Sequence, residues 1–270
     1  MASKDLAENA QDKHAPDPTG PDPTERPFVA HLVELRDRLL RTIACTFVVL
    51  LALMPVSNQL YGWLAEPLFA VLPGGGTMIA TQVASPFLAP FKLTVFVAVM
   101  ISVPYIFYQA WSFIAPGLYL HERRLALPLM ASSTVLFYTG VAFAYFVVFP
   151  LVFAFFTATA PEGVTIMTDI SHYLDFVLML FLAFGVAFEV PVATYLLVRT
   201  GITSVDDLAR KRPYIIVGAF VIGMLLTPPD VISQTLLALP MWFLFEIGLL
   251  LCRYTIPREE TGDTPRSEQK

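Results

Sequence analysis

Charge is what this 270-residue sequence has least of. Asp, Glu, Lys and Arg make up 14% of it, against 56% hydrophobic residues and a mean hydropathy of +0.65. Soluble domains carry about 25% charged residues, so this balance excludes an ordinary soluble fold and points to several membrane spans. Cysteine is nearly absent. Cys45 and Cys252 both lie in apolar runs with no paired or metal spacing, which argues against a disulfide scaffold or a thiolate centre. His14, His31, His121 and His172 show no i,i+4 pairing suited to a metal. Gly74-Gly75-Gly76 lacks the Lys-Ser/Thr that a phosphate loop requires. No nucleophile–base pair stands out. The expectation is a protein that is not an enzyme, holds no metal or cofactor and binds no nucleic acid. The first 27 residues hold no apolar core, so a cleavable signal sequence is not expected.

What is present is a series of long apolar runs. They predict an all-α polytopic membrane protein with six transmembrane helices at about 39–60, 92–114, 127–149, 173–198, 214–226 and 231–252. The last two are short. Residues 214–226 reach about 20 Å as a helix, under the roughly 30 Å of a hydrocarbon core. Pro240 divides the sixth run, and Pro150 is expected to close the third. The membrane domain spans 28–253, between a proline-rich tail, 1–27, and a charged tail, 254–270, both expected to be disordered. No internal repeat is visible. Of the 17 Lys and Arg residues, 16 fall on the side holding both termini, and only Lys92 falls opposite. Positive charge marks the cytoplasmic side, so both termini are expected there.

The chain is organised around His31–Arg41, just before the first span. Read as a helix at about 100° per residue, it places Glu34, Asp37, Arg38 and Arg41 on one face. Leu32, Leu35, Leu39 and Leu40 form the other, and Arg36 falls inside that leucine stripe, a cation on the expected packing face. Two readings stand. The basic residues can simply orient the first span, with Arg36 snorkelling. Alternatively the segment is a docking surface, with Glu34 as acceptor for a basic ligand. Glu122 repeats the theme beside Arg123 and Arg124: local pairing, or a second acceptor on the same side.

Inside the apolar runs, Glu189 precedes Val190-Pro191, about 15 Å of helix from Arg199. A carboxylate at that depth costs about 2.5–3.5 kcal/mol on insertion scales, so it should face protein or water. It can be a structural contact or a site for a polar partner. Glu246 shares a face with Arg253, seven residues on, and is expected to pair with it. Asp230, after two prolines, reads as the N-cap of the sixth helix.

Taken in order, several motifs resemble the TatC family, the multispan receptors of the twin-arginine protein translocase. They are His31-Leu32-Val33-Glu34-Leu35-Arg36-Asp37-Arg38, Thr77–Thr81 with Ser85-Pro86-Phe87, Trp111–Leu118 with His121–Arg124, Phe143-Ala144-Tyr145-Phe146, Phe184–Pro191 and Leu226–Asp230. The likeness runs from about 28 to 253. It implies a cup-shaped, six-span protein of the bacterial cytoplasmic (inner) membrane, working in an oligomeric complex and driven by the proton gradient. By resemblance, Glu34, Arg36, Arg38, Phe113, Leu118 and Glu122 belong to binding of Arg-Arg signal peptides. Glu189, Tyr145 and Met224 belong to an intramembrane partner contact, and Pro67 and Asp230 to functional loops. The implied partners are the single-span TatA and TatB proteins, folded preproteins with twin-arginine signals, and membrane lipid. The alternative from another class is a proton-coupled small-molecule transporter using Glu189. The lack of repeats and of glycine-broken helix pairs weighs against it.

Overall fold

The computed structural model describes residues 25–63, 79–114, 126–159, 169–227 and 230–255. They are helical almost throughout. Five helices are long and apolar enough to cross a membrane: His31–Trp63, Ser85–Ile114, Leu127–Phe156, Ile170–Arg199 and Val231–Thr255. A sixth apolar helix, Arg212–Leu226, is shorter. Its 15 residues reach about 22 Å.

Helix α1 (Glu25–Leu53) begins inside the 1–27 segment read as a tail, with Pro27 in its first turn, where a missing N–H costs little. A 3₁₀ turn, Met54–Val56, interrupts it before residues 57–63. Helix α2 (Ser85–Ile114) continues unbroken through Pro90 and Pro104. Pro104 cannot donate to the Met100 carbonyl one turn back. Tyr138 of α3 (Ala126–Phe143) supplies the missing donor, its hydroxyl 2.7 Å from Met100 O. Pro150 does not end the third run as expected. A π-helical segment, Ala144–Val148, absorbs the change in register, and α4 (Phe149–Ala158) continues with Pro150 in its first turn.

The fourth run is two helices, α5 (Ile170–Ala187) and α6 (Val190–Arg199), with Phe188 and Glu189 in the turn between them. A short α7 (Val205–Arg210), capped by Ser204, leads to α8 (Arg212–Leu226). The chain closes on α9 (Val231–Thr255), which is continuous through Pro240 rather than divided by it.

The core lies along α5, where Val177, Leu180 and Phe184 meet Val148 and Val152 from the third run and Leu237 and Leu244 from α9. Helix α1 packs chiefly on α2, while α8 packs chiefly on α9. At the other end from α1's first turns, the segment before α2 is clasped to the start of α5. Ile79 bridges Asp169, the Ile170 N–H donates to Ile79 O at 3.0 Å, and Thr81 donates to Asp169 through both its hydroxyl, 2.6 Å, and its N–H, 2.9 Å. Ser171 Oγ reaches Ser85 Oγ at 2.8 Å, and Lys92 pairs with Asp175 at 2.8 Å.

Candidate functional site

The first group of candidate residues sits where the start of α1 meets the end of α2. The leucine stripe is not the packing face. Leu32, Leu35, Leu39 and Leu40 are all exposed, whereas Glu34, Asp37, Arg38, Thr42 and Cys45 are half-buried at helical spacing. The expectation borrowed a rule from water. In a bilayer the lipid takes the apolar face and polar or small side chains seek protein. Arg36 is therefore not a cation against the core. Its side chain is 66% exposed and forks onto Asp37 through Nε at 3.0 Å and Nη2 at 2.8 Å.

Arg38 is the inward cation. Its Nε and Nη2 both donate to Glu34 Oε1, at 2.9 and 2.7 Å, one turn back along the helix. Its Nη1 lies 3.3 Å from Oε1 of Gln109 on α2, and the Gln109 amide donates to the Tyr105 hydroxyl at 2.7 Å. Beside this network His31 stacks on Phe113, ring centroids 4.2 Å apart and 20° from parallel. Glu34, Arg38 and Phe113 are thus brought into one seam. Leu118 and Glu122, as well as Pro67, lie outside the described residues. Gln109 and Tyr105 were missed by sequence reasoning. A glutamine inside the second apolar run was the available signal, because a polar amide at that position needs a partner.

The second group lies within the fourth run. Pro191 cannot donate to the Ala187 carbonyl, and the helix breaks there. Two close approaches fix the break. A Cβ on Gly140 of α3 would stand 2.5 Å from Phe184 O and 2.9 Å from Phe188. A Cβ on Gly248 of α9 would collide with Thr194 Oγ1 and lie 3.0 Å from the Pro191 Cα. Glu189 is half-buried in this turn. Buried Ser133 of α3 approaches its carboxylate, yet Oε1 has no hydrogen-bond partner among the described residues. Phe188, next to it, lines an apolar groove of about 430 Å³ with Phe143, Pro240, Trp242 and Phe243. Trp242 Nε1 is also buried and unpartnered among the described residues.

Tyr145 is in the π segment, edge-on to Phe146 and Phe181 and packed against the core. Met224 is on the outward face of α8, in line with exposed Tyr214, Val217 and Val221. Asp230 caps α9: the Ser233 N–H donates to Oδ1 at 2.8 Å, and the Ser233 hydroxyl donates to Oδ2. These bonds hold the Asp230 carboxyl below the usual carboxylate range. Glu246 does not pair with Arg253 as expected. It takes Arg212 of α8, with Nη2 2.7 Å from Oε2 and Nε 2.7 Å from Oε1. Two turns of one helix separate Glu246 from Arg253 by about 10 Å, whereas the start of α8 comes alongside.

Residues 30–240 match the family described as Sec-independent protein translocase protein (TatC). The chain is 62% identical to the protein of that name from Haemophilus influenzae over 244 residues, covering 90% of this chain and 95% of the relative. It is 59% identical to the Escherichia coli K12 protein over 231 residues, covering 86% and 90%. A solved structure titled twin arginine translocase receptor TatC superposes with a TM-score of 0.75 at 36% identity, covering 83% of this chain and 98% of that one. With its apolar helices broken and capped as described, this chain belongs to the TatC family: a multi-pass membrane component of the twin-arginine translocase, not an enzyme.

Proposed function

We propose that this protein is the receptor and scaffold of its translocase, binding Arg-Arg signal peptides of folded preproteins and recruiting single-span TatA and TatB partners. The observation that carries the reading is Glu34, a half-buried carboxylate held in the α1–α2 seam beside the His31–Phe113 stack. It is an acceptor already shaped for a guanidinium, since it holds one. Phe113 offers the ring against which the apolar part of a signal can lie, and Leu118 is assigned to the same contact. Glu122 supplies the second acceptor, and exposed Arg36 keeps the surface hydrated. Glu189, whose buried Oε1 has no hydrogen-bond partner among the described residues, supplies the polar group for a partner helix, and Met224 and its neighbours offer α8's apolar face. Tyr145 keeps the π segment packed against α5, Asp230 fixes the start of α9, and Pro67 is assigned a role in the function of its loop. The bacterial cytoplasmic membrane, six spans, an oligomeric working complex and both termini cytoplasmic complete the reading, the last supported by 16 of 17 Lys and Arg residues on that side. Energy comes from the proton gradient.

Titrating an Arg-Arg signal peptide and its Lys-Lys counterpart against the protein in nanodiscs tests this. A preference for Arg-Arg is expected. Glu34→Ala and Glu122→Ala should each weaken binding by about 1.5–3 kcal/mol, the usual worth of a hydrogen bond to a charged group. Equal affinity for the two peptides, unaltered in both variants, would overturn the assignment.

A further inference from the structure

Glu34 is not an empty acceptor. One oxygen, Oε1, receives two N–H groups of Arg38, the contact a ligand's guanidinium would seek. Glu four residues before Arg is also the favourable order for such a pair on a helix. We propose that Arg38 is the resident occupant of Glu34, an internal competitor that a signal peptide's arginine must displace. The inference rests on the receptor reading above and assigns Arg38 a role opposite to that of a ligand contact.

A ligand guanidinium that pairs with Glu34 through both carboxylate oxygens needs Oε1, which Arg38 holds with two N–H groups, so its entry expels Arg38 from at least part of its bond. A second partner is in place. Arg38 Nη1 stands 3.3 Å from Gln109 Oε1, long for an N–H···O bond whose usual distance is about 2.9–3.0 Å. Gln109 is buried, and its amide group is oriented by the 2.7 Å bond to the Tyr105 hydroxyl, which leaves the carbonyl oxygen facing Arg38. A small swing from Glu34 toward Gln109 tightens the second bond as the first is lost. Arg36 has no such alternative on α2; it is exposed and bonded to its neighbour Asp37.

An internal competitor lowers apparent affinity by the fraction of time the acceptor is free. That factor is the same for every cationic ligand that uses Glu34. Arg38 therefore sets a threshold that weak, single-contact cations fail to cross, while the ratio between Arg-Arg and Lys-Lys signals is set elsewhere.

The test uses the full chain in nanodiscs and synthetic Arg-Arg and Lys-Lys signal peptides. Arg38→Gln should raise affinity for both peptides by one common factor of about two to five, consistent with a half-exposed i,i+4 pair. Arg38→Lys, with one contact in place of two, should give a smaller gain. The gain should vanish when Glu34→Gln is combined with Arg38→Gln. Arg41→Gln removes the same charge from an exposed position one turn on, and should give less, fading with added salt. Weaker binding in Arg38→Gln, an equal gain in Arg41→Gln, or a gain that persists with Glu34→Gln would each overturn the exchange. Equal affinity for the two peptides, unchanged in Glu34→Gln and in Glu122→Ala, would bring down the receptor reading itself. Loss in Glu34→Gln without gain in Arg38→Gln would refute the exchange and leave that reading standing.

Discussion

The first apolar helix and the fourth run are nearly alike by length and hydropathy, at 33 and 30 residues, yet they live in different surroundings. None of the first helix's most apolar window is buried inside the protein, against 44% of the fourth's. Helix α1 leans on one neighbour along a polar stripe. The α5–α6 pair is gripped by α3 on one side and α9 on the other, at glycines that admit no side chain. In lipid an apolar surface needs no protein cover, so hydropathy does not rank helices by burial. Close approach and polar contacts decide which helices assemble. The consequence is a division of roles: a fixed centre around Glu189, and an outer helix whose polar edge carries Glu34 and Arg38.

Four tests would break or sharpen this contrast. The largest effect is expected from Gly140→Val or Gly185→Val. A Cβ at Gly185 would meet the Phe137 ring at 2.7 Å, and at Gly140 it would meet backbone. Overpacking of this kind costs about 1–3 kcal/mol or more. Thermal denaturation in detergent should show a clear loss; an unshifted transition would mean that α3 and α5 do not approach as described.

Next comes Glu189, at the centre of the gripped run. Gln keeps a donor and an acceptor in similar volume, so Glu189→Gln should retain most co-purification of single-span partners and most export. Glu189→Ala should lose about 0.6–2 kcal/mol of association with the fold intact. Equal loss in both would show that ionisation is required, as the transporter alternative demands.

Asp169, at the head of α5, tests the clasp by pH. The Thr81 hydroxyl, then the N–H groups of Thr81, His172 and Ser171, hold its carboxyl well below the usual carboxylate range. A depressed pKa adds stability that is present above the unfolded value, near 3.9, and is lost as pH falls through the folded one. Acidifying the medium from pH 7 to 5 should therefore leave the clasp closed, as read by hydrogen exchange at Ile170. Asp169→Asn should loosen it at both pH values. Opening of the wild-type clasp between pH 7 and 5 would contradict this.

The smallest effect belongs to the leucine stripe of α1. Leu35→Ala and Leu39→Ala remove side chains that are 44% and 57% exposed, and each should change thermal stability by no more than about 0.5 kcal/mol. A core-sized loss would put that stripe against protein after all.

Much of the fold was legible because the signals are local or very large. Apolar runs located the helices, and Asp230 capped α9 through a contact only three residues away. The proline positions were legible, but their outcomes were not. Pro150 and Pro240 did not stop their helices: a π segment precedes the first, and α9 stays helical through the second. At the candidate site, Glu34 and Glu189 stood out as carboxylates beside or within apolar sequence. Gln109 did not, although it orients the seam.

By itself, the sequence determined that this chain lives in a membrane, where its long helices lie and which family it joins, since those follow from composition and from motifs in order. The tertiary structure alone decided which face of α1 meets protein, that Glu246 takes Arg212 rather than Arg253, and that Gly140 and Gly248 fix the Glu189 turn. The reason is physical. Lipid and protein interior look alike to an apolar side chain, so only the meeting of specific polar groups and bare backbones, brought from distant parts of the chain, separates one arrangement from another.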